Sequence, residues 1–348
     1  MAGKALKDVT TLNKCPGCGR IKRAHTLCVY CVHVVDAHPA DIFSIAVTQK
    51  QLLSVSGSSN IQIYNLTFSP DEPKPYPHAQ TLEGAHSIGA HHLCVSANGK
   101  FAASAGFGGD VSIWACDEEG VWKSVGQIKD NSKAGEIWAI ALSEDGQFLA
   151  GTTYDGRVNV WDISTMGNGD ASGAEKIREY QTKGSYGMSI DLSTNGEFTA
   201  SGHANGSIHL FNNTTGRLAH SLQGLIKPVR AVSFSPACKY IAAGGDAKII
   251  ALYDVQTGEQ VANFTGNGSW IMSLDWNWSG EYLLSGAYDG KAKIWSVERR
   301  ECVATQTESD EALWSVKWVP RNPALRNETF ATAGANKSIS FYREASGS

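Results

Sequence analysis

No apolar run in this 348-residue chain approaches the roughly 18 residues that a membrane-spanning helix needs. The first stretch, MAGKALKDVTTLNK, has no apolar centre and does not read as a secretory signal. It also has no Arg before the first Cys, so it does not support a mitochondrial address. Catalytic signatures are missing too. The chain has no His-Glu-x-x-His, no Gly-x-Ser-x-Gly and no phosphate loop. The one His pair, His91-His92, falls at the start of a strand-like run, where alternation sends the two rings to opposite faces and excludes a shared metal. The Gly-rich run GFGGD (106–110) precedes no helix and reads as a turn. A hydrolytic site would need a cluster of acids or His, and none is apparent.

Proline is scarce, at 10 residues, whereas glycine is abundant, at 36. Abundant glycine without a collagen period implies many tight turns and many short strands. Apolar residues make up 42% and charged residues 18%, as in ordinary globular chains. Charge is unevenly placed. Residues 1–31 carry a net +5, from Lys4, Lys7, Lys14, Arg20, Lys22 and Arg23 against Asp8, and the remainder carries −9. An acidic body argues against a phosphate-tracking surface there.

One unit recurs seven times. An alternating apolar strand is followed by an Ala/Ser/Gly-rich strand, a polar turn and a third strand that ends on an aromatic. The clearest copies are GEIWAIALSEDGQFLAGTTYDGRVNVWDIS (135–164), KPVRAVSFSPACKYIAAGGDAKIIALYDVQTG (227–258) and SWIMSLDWNWSGEYLLSGAYDGKAKIWSVE (269–298). The closing aromatics are Tyr64, Trp114, Trp161, Phe211, Tyr253, Trp295 and Tyr342, spaced by 42 to 50 residues. Such a unit forms a four-stranded sheet with two apolar faces. It cannot bury both faces alone, so the units must stack radially. The predicted fold is all-β, a seven-bladed β-propeller over residues 32–343 behind a short four-cysteine segment, 1–31. The seventh unit lacks a fourth strand, and Val32-His33-Val34-Val35 is predicted to supply it. Trp276, Trp278 and Trp318 are expected in the core.

With Trp161-Asp162 and its variant Tyr253-Asp254, these units resemble the WD-repeat family. Gly-His pairs are mostly absent; Ala37-His38 and Ala85-His86 come nearest, so the family's buried His–Ser–Asp–Trp set is expected to be incomplete in most blades. The units AHPADIFSIAVTQKQLLSVSGSSNIQIYN and LEGAHSIGAHHLCVSANGKFAASAGFGGDVSIW resemble, more narrowly, the WD-repeat subunit of the fungal superkiller complex. The tail FATAGANKSISFYREA fits that family as well. That resemblance implies a non-catalytic scaffold whose partners are a tetratricopeptide protein and an RNA helicase. Their assembly feeds mRNA to the exosome for 3′-to-5′ decay. It also implies a meiotic role through a topoisomerase-like protein. The compartment so implied is the cytoplasm, with the nucleus second. The propeller is expected to touch neither nucleic acid nor membrane.

The head has its own chemistry. Cys15-Pro-Gly-Cys18 and Cys28-Val-Tyr-Cys31 form two knuckles able to place four thiolates around Zn²⁺. Lys22 and Arg23 favour the thiolates. Cys94, Cys116, Cys238 and Cys302 read as small hydrophobes. Residues 2–32 resemble the zinc-bearing segment of a small protein of the mitochondrial large ribosomal subunit, which implies RNA contact and, if that function applies, a mitochondrial site. A misjoined exon, a true fusion and an independent zinc module all remain open.

WD-type propellers dock partners on the narrow face. Alignment of the seven units places Phe43, His91, Trp138, Met188, Arg230, Met272 and Trp314 there at the openings of the first strands, with Tyr186 and Trp270 just before. Phe107, Tyr154, Asp246 and Tyr288 occupy the following turns. Phe43, Phe107, Trp138, Tyr154, Tyr186, Arg230, Asp246, Trp270, Tyr288 and Trp314 are the expected partner-binding set, suited to an Arg- and aromatic-bearing peptide.

Overall fold

Alternating apolar residues bounded by Gly- and Asp-rich turns give strands of five to seven residues. The computed structural model describes residues 29–34, 36–66, 76–128, 137–166, 173–182, 184–321 and 328–344. Among these, the strands form seven antiparallel four-stranded sheets. Blades 1 to 7 have as inner strands Ile42–Val47, Ala90–Val95, Ile137–Leu142, Gly187–Leu192, Val229–Phe234, Ile271–Trp276 and Leu313–Trp318.

The core is divided as a radial stack requires. Seven apolar clusters each lie between two neighbouring blades. Between blades 1 and 2, for example, Leu53 and Ile63 pack with Leu93, Ala102 and Trp114. Each buried aliphatic of this kind contributes about 1.5–3 kcal/mol, and every blade depends on both neighbours for it.

The ring closes by non-local pairing. Val29–Val34 lies antiparallel to Ile339–Glu344, with Val29 opposite Glu344 and Val34 opposite Ile339. The expected closing strand, Val32 to Val35, therefore starts three residues earlier, because Val29 and Tyr30 are strand-favouring residues that extend the pairing with Ile339–Glu344; Val35 lies outside the described residues. Cys31 is thus a strand residue facing Tyr342, with Sγ 3.2 Å from His33 Nε2. Cys15, Cys18 and Cys28 lie outside the described residues. Glu308 ties the closure together. It accepts hydrogen bonds from Ser340, Tyr342, Thr332 and Asn336 and lies 3.6 Å from His33 Nδ1.

The buried polar sets differ between blades. Blade 2 has the whole set: His86 bonds Asp110 and Ser104 at 2.7 Å each, and Trp114 Nε1 donates to Ser104. In blade 1, His38 reaches Ser54 at 2.8 Å. In blade 6, Trp295 donates to Ser285, but Asn267 stands where His86 stands in blade 2, four residues before the inner strand. Both polar atoms of its amide are buried without a protein partner.

Of the three tryptophans expected in the core, Trp276 is buried and Trp318 is half-buried. Trp278 is not in the core: it is 54% exposed. It sits in the turn beyond the inner strand of blade 6, where the only described ring contact is the Arg321 guanidinium of blade 7, stacked over it at 4.6 Å.

Candidate functional site

Every inner strand carries a β-bulge near its start. In blade 1, Ile42 pairs with Ser56 and Ser44 with Val55, so Phe43 has no partner across the ladder. The same shift skips His91, Trp138, Met188, Arg230, Met272 and Trp314. A bulge re-aims its extra side chain out of the sheet. Here seven bulges set seven side chains on one face, around one mouth of the channel. We call it the bulge face.

A second interaction holds the turns against the bulges. The N–H of Phe107 donates to Gly89 O, that of Asp246 to Pro228 O and that of Tyr288 to Trp270 O, at 2.9 to 3.1 Å. Each acceptor lies two residues before a bulge residue. This tether brings Phe107, Asp246 and Tyr288 beside the bulge residues. In blade 5 it needs Gly245, where an added Cβ would sit 2.0 Å from Pro228 O.

The result is one continuous chain of ring contacts. Tyr154 meets Tyr186 at 4.9 Å and Tyr186 meets Trp138 at 5.4 Å. Trp138 reaches Phe107 at 6.4 Å, and Phe107 reaches Phe43 at 5.5 Å. Phe43 then touches Trp314 at 5.7 Å, Trp314 touches Tyr288 at 5.8 Å and Tyr288 touches Trp270 at 5.4 Å. Arg230 ends the chain, its guanidinium 5.0 Å above Trp270 and in an ion pair with Asp246. All ten expected residues are therefore brought together, and the chain touches all seven blades. Its open point lies between Tyr186 of blade 4 and Arg230 of blade 5.

These rings are not core residues. Tyr154 is 67% exposed, Tyr288 46% and Trp270 40%, and the other rings of the chain are half-buried. Aromatic pairs contribute about 0.5–1.5 kcal/mol each beyond area burial. The face is therefore preorganised, yet it leaves ring surface open to a partner. Exposed Ile226 stands at the open point and Ile88 at the rim beside Gly108.

Two contributors were not in the expected set. His91 stacks on Trp138 at 4.1 Å and lies 4.9 Å from Phe107, which makes it a central link. Burial pushes its pKa down to about 4, so its ring is neutral at pH 7. Asp41 accepts a hydrogen bond from Trp314 Nε1 at 3.3 Å and puts a carboxylate beside Trp314. The bulge alignment already marked His91; Asp41, two residues before Phe43, carried no signal of its own.

Below the bulges the channel is polar. Lys317 Nζ donates to Asp275 at 2.8 Å, and Asp191 and Asp275 accept the N–H groups of Phe234 and Trp318, each in the next blade. Burial raises the Asp191 pKa to about 6. For Lys317, burial is outweighed by Asp275 and Asp191, so its pKa rises. His92 faces this level and accepts the Ile140 N–H, while His91 sits on the bulge face, so the two rings part as expected. These groups stitch adjacent blades together.

Comparison with known proteins agrees with this architecture. The family model for the WD domain, G-beta repeat, matches residues 122–162, 216–254 and 258–296. Each match joins the outer strand of one blade to three strands of the next. Meiotic recombination protein rec14 of Schizosaccharomyces pombe is 39% identical over 310 residues, 89% of this chain and 95% of that protein. Antiviral protein SKI8 of Saccharomyces cerevisiae is 24% identical over 322 residues, 77% of this chain and 79% of its own. Mouse Striatin-4 is 22% identical, with 83% of this chain aligned to 39% of its own. The seven-bladed fold, the repeat matches and the extent of identity to the fission yeast protein together show that this chain belongs to the WD40-repeat family, as a scaffold-type relative of that recombination protein and of SKI8.

Proposed function

We propose that this chain is a non-catalytic docking subunit of a superkiller-type complex that assists exosome-mediated 3′-to-5′ mRNA decay. The bulge face would grip short segments of a tetratricopeptide scaffold and hold an RNA helicase in the same assembly. One observation carries this reading: ten side chains, all aromatic except Arg230 and Asp246, form a continuous, partly exposed chain around one face. Trp, Tyr and Arg are the residues that dominate protein–protein hot spots. Stacked rings and a closed ion pair offer contact surface rather than groups poised for proton transfer. The relation to SKI8 supports the choice of complex. The acidic propeller would leave RNA to the helicase, and the chain would work in the cytoplasm with a second site in the nucleus.

The test is copurification of the endogenous protein with quantitative mass spectrometry. The proposal requires the tetratricopeptide scaffold and the helicase as stoichiometric partners, both lost when Trp138 and Trp314 are changed to Ala. Recovery of neither would overturn it.

A second reading rests on the relative named for meiotic recombination. The same face would then dock a meiotic topoisomerase-like protein during meiosis. Partners that change between vegetative and meiotic cells, but share sensitivity to Trp138→Ala, would establish both roles on one surface.

A further inference from the structure

The ring closure brings a thiol, an imidazole and a buried carboxylate together. Cys31 and His33 lie two residues apart on the closing strand, so their side chains leave the same face. Pairing fixes that face, with Cys31 opposite Tyr342 and His33 opposite Ser340. Cys31 Sγ is 3.2 Å from His33 Nε2. The other ring nitrogen is already engaged. Nδ1 lies 2.6 Å from Ser340 Oγ, and Ser340 donates to Glu308, whose side chain is only 3% exposed.

The chemistry of these groups fits a metal ion. Ser340 spends its one hydrogen on Glu308, so Nδ1 must carry the hydrogen between the ring and Ser340 Oγ. Only Nε2, beside the thiol, is left to bind an ion. An imidazole that commits one nitrogen to a carboxylate relay and offers the other is the arrangement found in metal-ligating histidines. A tetrahedral Zn²⁺, with bonds of about 2.3 Å to sulfur and about 2.0 Å to nitrogen, holds those two atoms about 3.5 Å apart. The pair needs to open by only a few tenths of an ångström. It is also accessible: Cys31 is exposed, and so is 48% of the His33 side chain. Cys302, the other exposed thiol among the described residues, has no imidazole partner; it bonds Ala304 O and Thr305 Oγ1.

We infer that Cys31 Sγ and His33 Nε2 are two ligands of one Zn²⁺ ion, with Ser340 and Glu308 orienting the imidazole. A thiolate and an imidazole suit this borderline-soft ion. Binding releases the single proton held between the two atoms. The ion then sits on the strand that closes the ring. Its ligand set departs from the four cysteines that spacing alone suggests, because His33 enters it.

The test uses the full chain, reduced and stripped of metal. Zn²⁺ affinity is measured by competition with a chromophoric chelator. Co²⁺ is then bound, and its absorption spectrum reports its ligands. A melt of each metal-free chain shows whether it is folded. The inference expects one Zn²⁺ per chain. Loss of an orienting partner typically costs about 10–100-fold in metal affinity, and loss of a ligand costs no less, so Cys31→Ser and His33→Gln should each weaken binding at least about tenfold. His33→Cys puts a thiolate in place of the imidazole, so it should recover binding and strengthen the thiolate-to-Co²⁺ absorption. Cys302→Ser should leave both readouts unchanged. A full chain that binds no Zn²⁺ would overturn the inference. So would a folded His33→Gln chain of wild-type affinity, which would leave the ion to the four cysteines. Failure of His33→Cys to recover binding would also overturn it, because His33 would then only prop the strand.

Discussion

His91 stacks on Trp138 with ring centroids 4.1 Å apart and planes 29° from parallel, and its Nε2–H donates to the carbonyl of Trp138 at 2.9 Å. One residue of blade 2 therefore fixes both the ring and the backbone of the bulge in blade 3. Changing His91 to Ala removes one stack and one hydrogen bond between blades 2 and 3 but leaves their apolar cluster in place, and should loosen Trp138. Partner affinity should fall by about tenfold, equal to roughly 1.4 kcal/mol, while the melting temperature stays within a few degrees. His91→Phe keeps the stack and should recover part of the loss. Calorimetric titration with the tetratricopeptide scaffold, alongside thermal melts, checks both points.

Stability should depend on pH through buried imidazoles. Burial lowers the pKa of His38 and His91 to about 4 and that of His92 to about 3. Below the ordinary value near 6.5 the unfolded chain binds protons that the folded chain refuses, so their contribution is intact above about pH 6.5 and is lost as pH falls toward 4. Asp191 acts in the opposite sense. Its pKa is raised to about 6, so it favours the fold at low pH and loses that contribution between about pH 4 and 6. Burial lowers His203 as well, whereas His33, raised to about 10 by Cys31 and Glu308, favours the fold below about pH 6.5; the four lowered imidazoles outweigh Asp191 and His33, and melting temperature should fall as pH drops from 7 to 4.5. His38→Gln should make the fall shallower. A flat profile would show that these rings are hydrated in the folded protein.

Blade 6 can be stabilised by a single change. Asn267→His restores the residue type that completes the polar set of blade 2, opposite Ser285 and Asp289. A buried unsatisfied polar group costs about 1–3 kcal/mol, so the variant should melt higher than wild type in a thermal scan. A lower melting temperature would mean that the imidazole does not fit beside Gly268.

The closing strand sets a sharp limit on truncation. Removing residues 1–28 leaves the pairing of Val29–Val34 with Ile339–Glu344 intact and should leave the melting temperature unchanged. Removing residues 1–34 deletes the whole fourth strand of blade 7 and should lower it by ten degrees or more, or yield insoluble protein. Removing 1–31 cuts the strand in half, and an intermediate loss is expected. Equal melting of all three chains would show that the ring closes without this strand.

The repeat was legible because its closing aromatics recur at near-constant spacing, and each had to fill the same gap between blades. Phe43, Trp138 and Trp314 could be aligned as equivalents for the same reason. Their convergence depends on the bulges, which no single strand announces: a one-residue register shift is a property of the pair. Trp278 misled because an apolar residue two positions after Trp276 reads as core, whereas it lies in the turn beyond the strand, covered in part by Arg321 of the next blade and otherwise open. Cys31 carries two roles in the sequence, the last position of the two-knuckle pattern and the middle of the strand Val29–Val34, and the structure describes only the second. The resemblance of residues 2–32 to a ribosomal zinc segment gains no support from the relatives described above, which match the propeller family.

The account rests on the bulge face as the surface that binds partners. The most direct test is the affinity of purified tetratricopeptide scaffold for the Trp138→Ala, Trp314→Ala double variant and for wild type, measured with a thermal melt of each chain. Hot-spot tryptophans cost about 2 kcal/mol or more on truncation, so binding should weaken at least thirtyfold while the melting transition stays cooperative and within a few degrees. Unchanged affinity in a folded double variant would contradict the account.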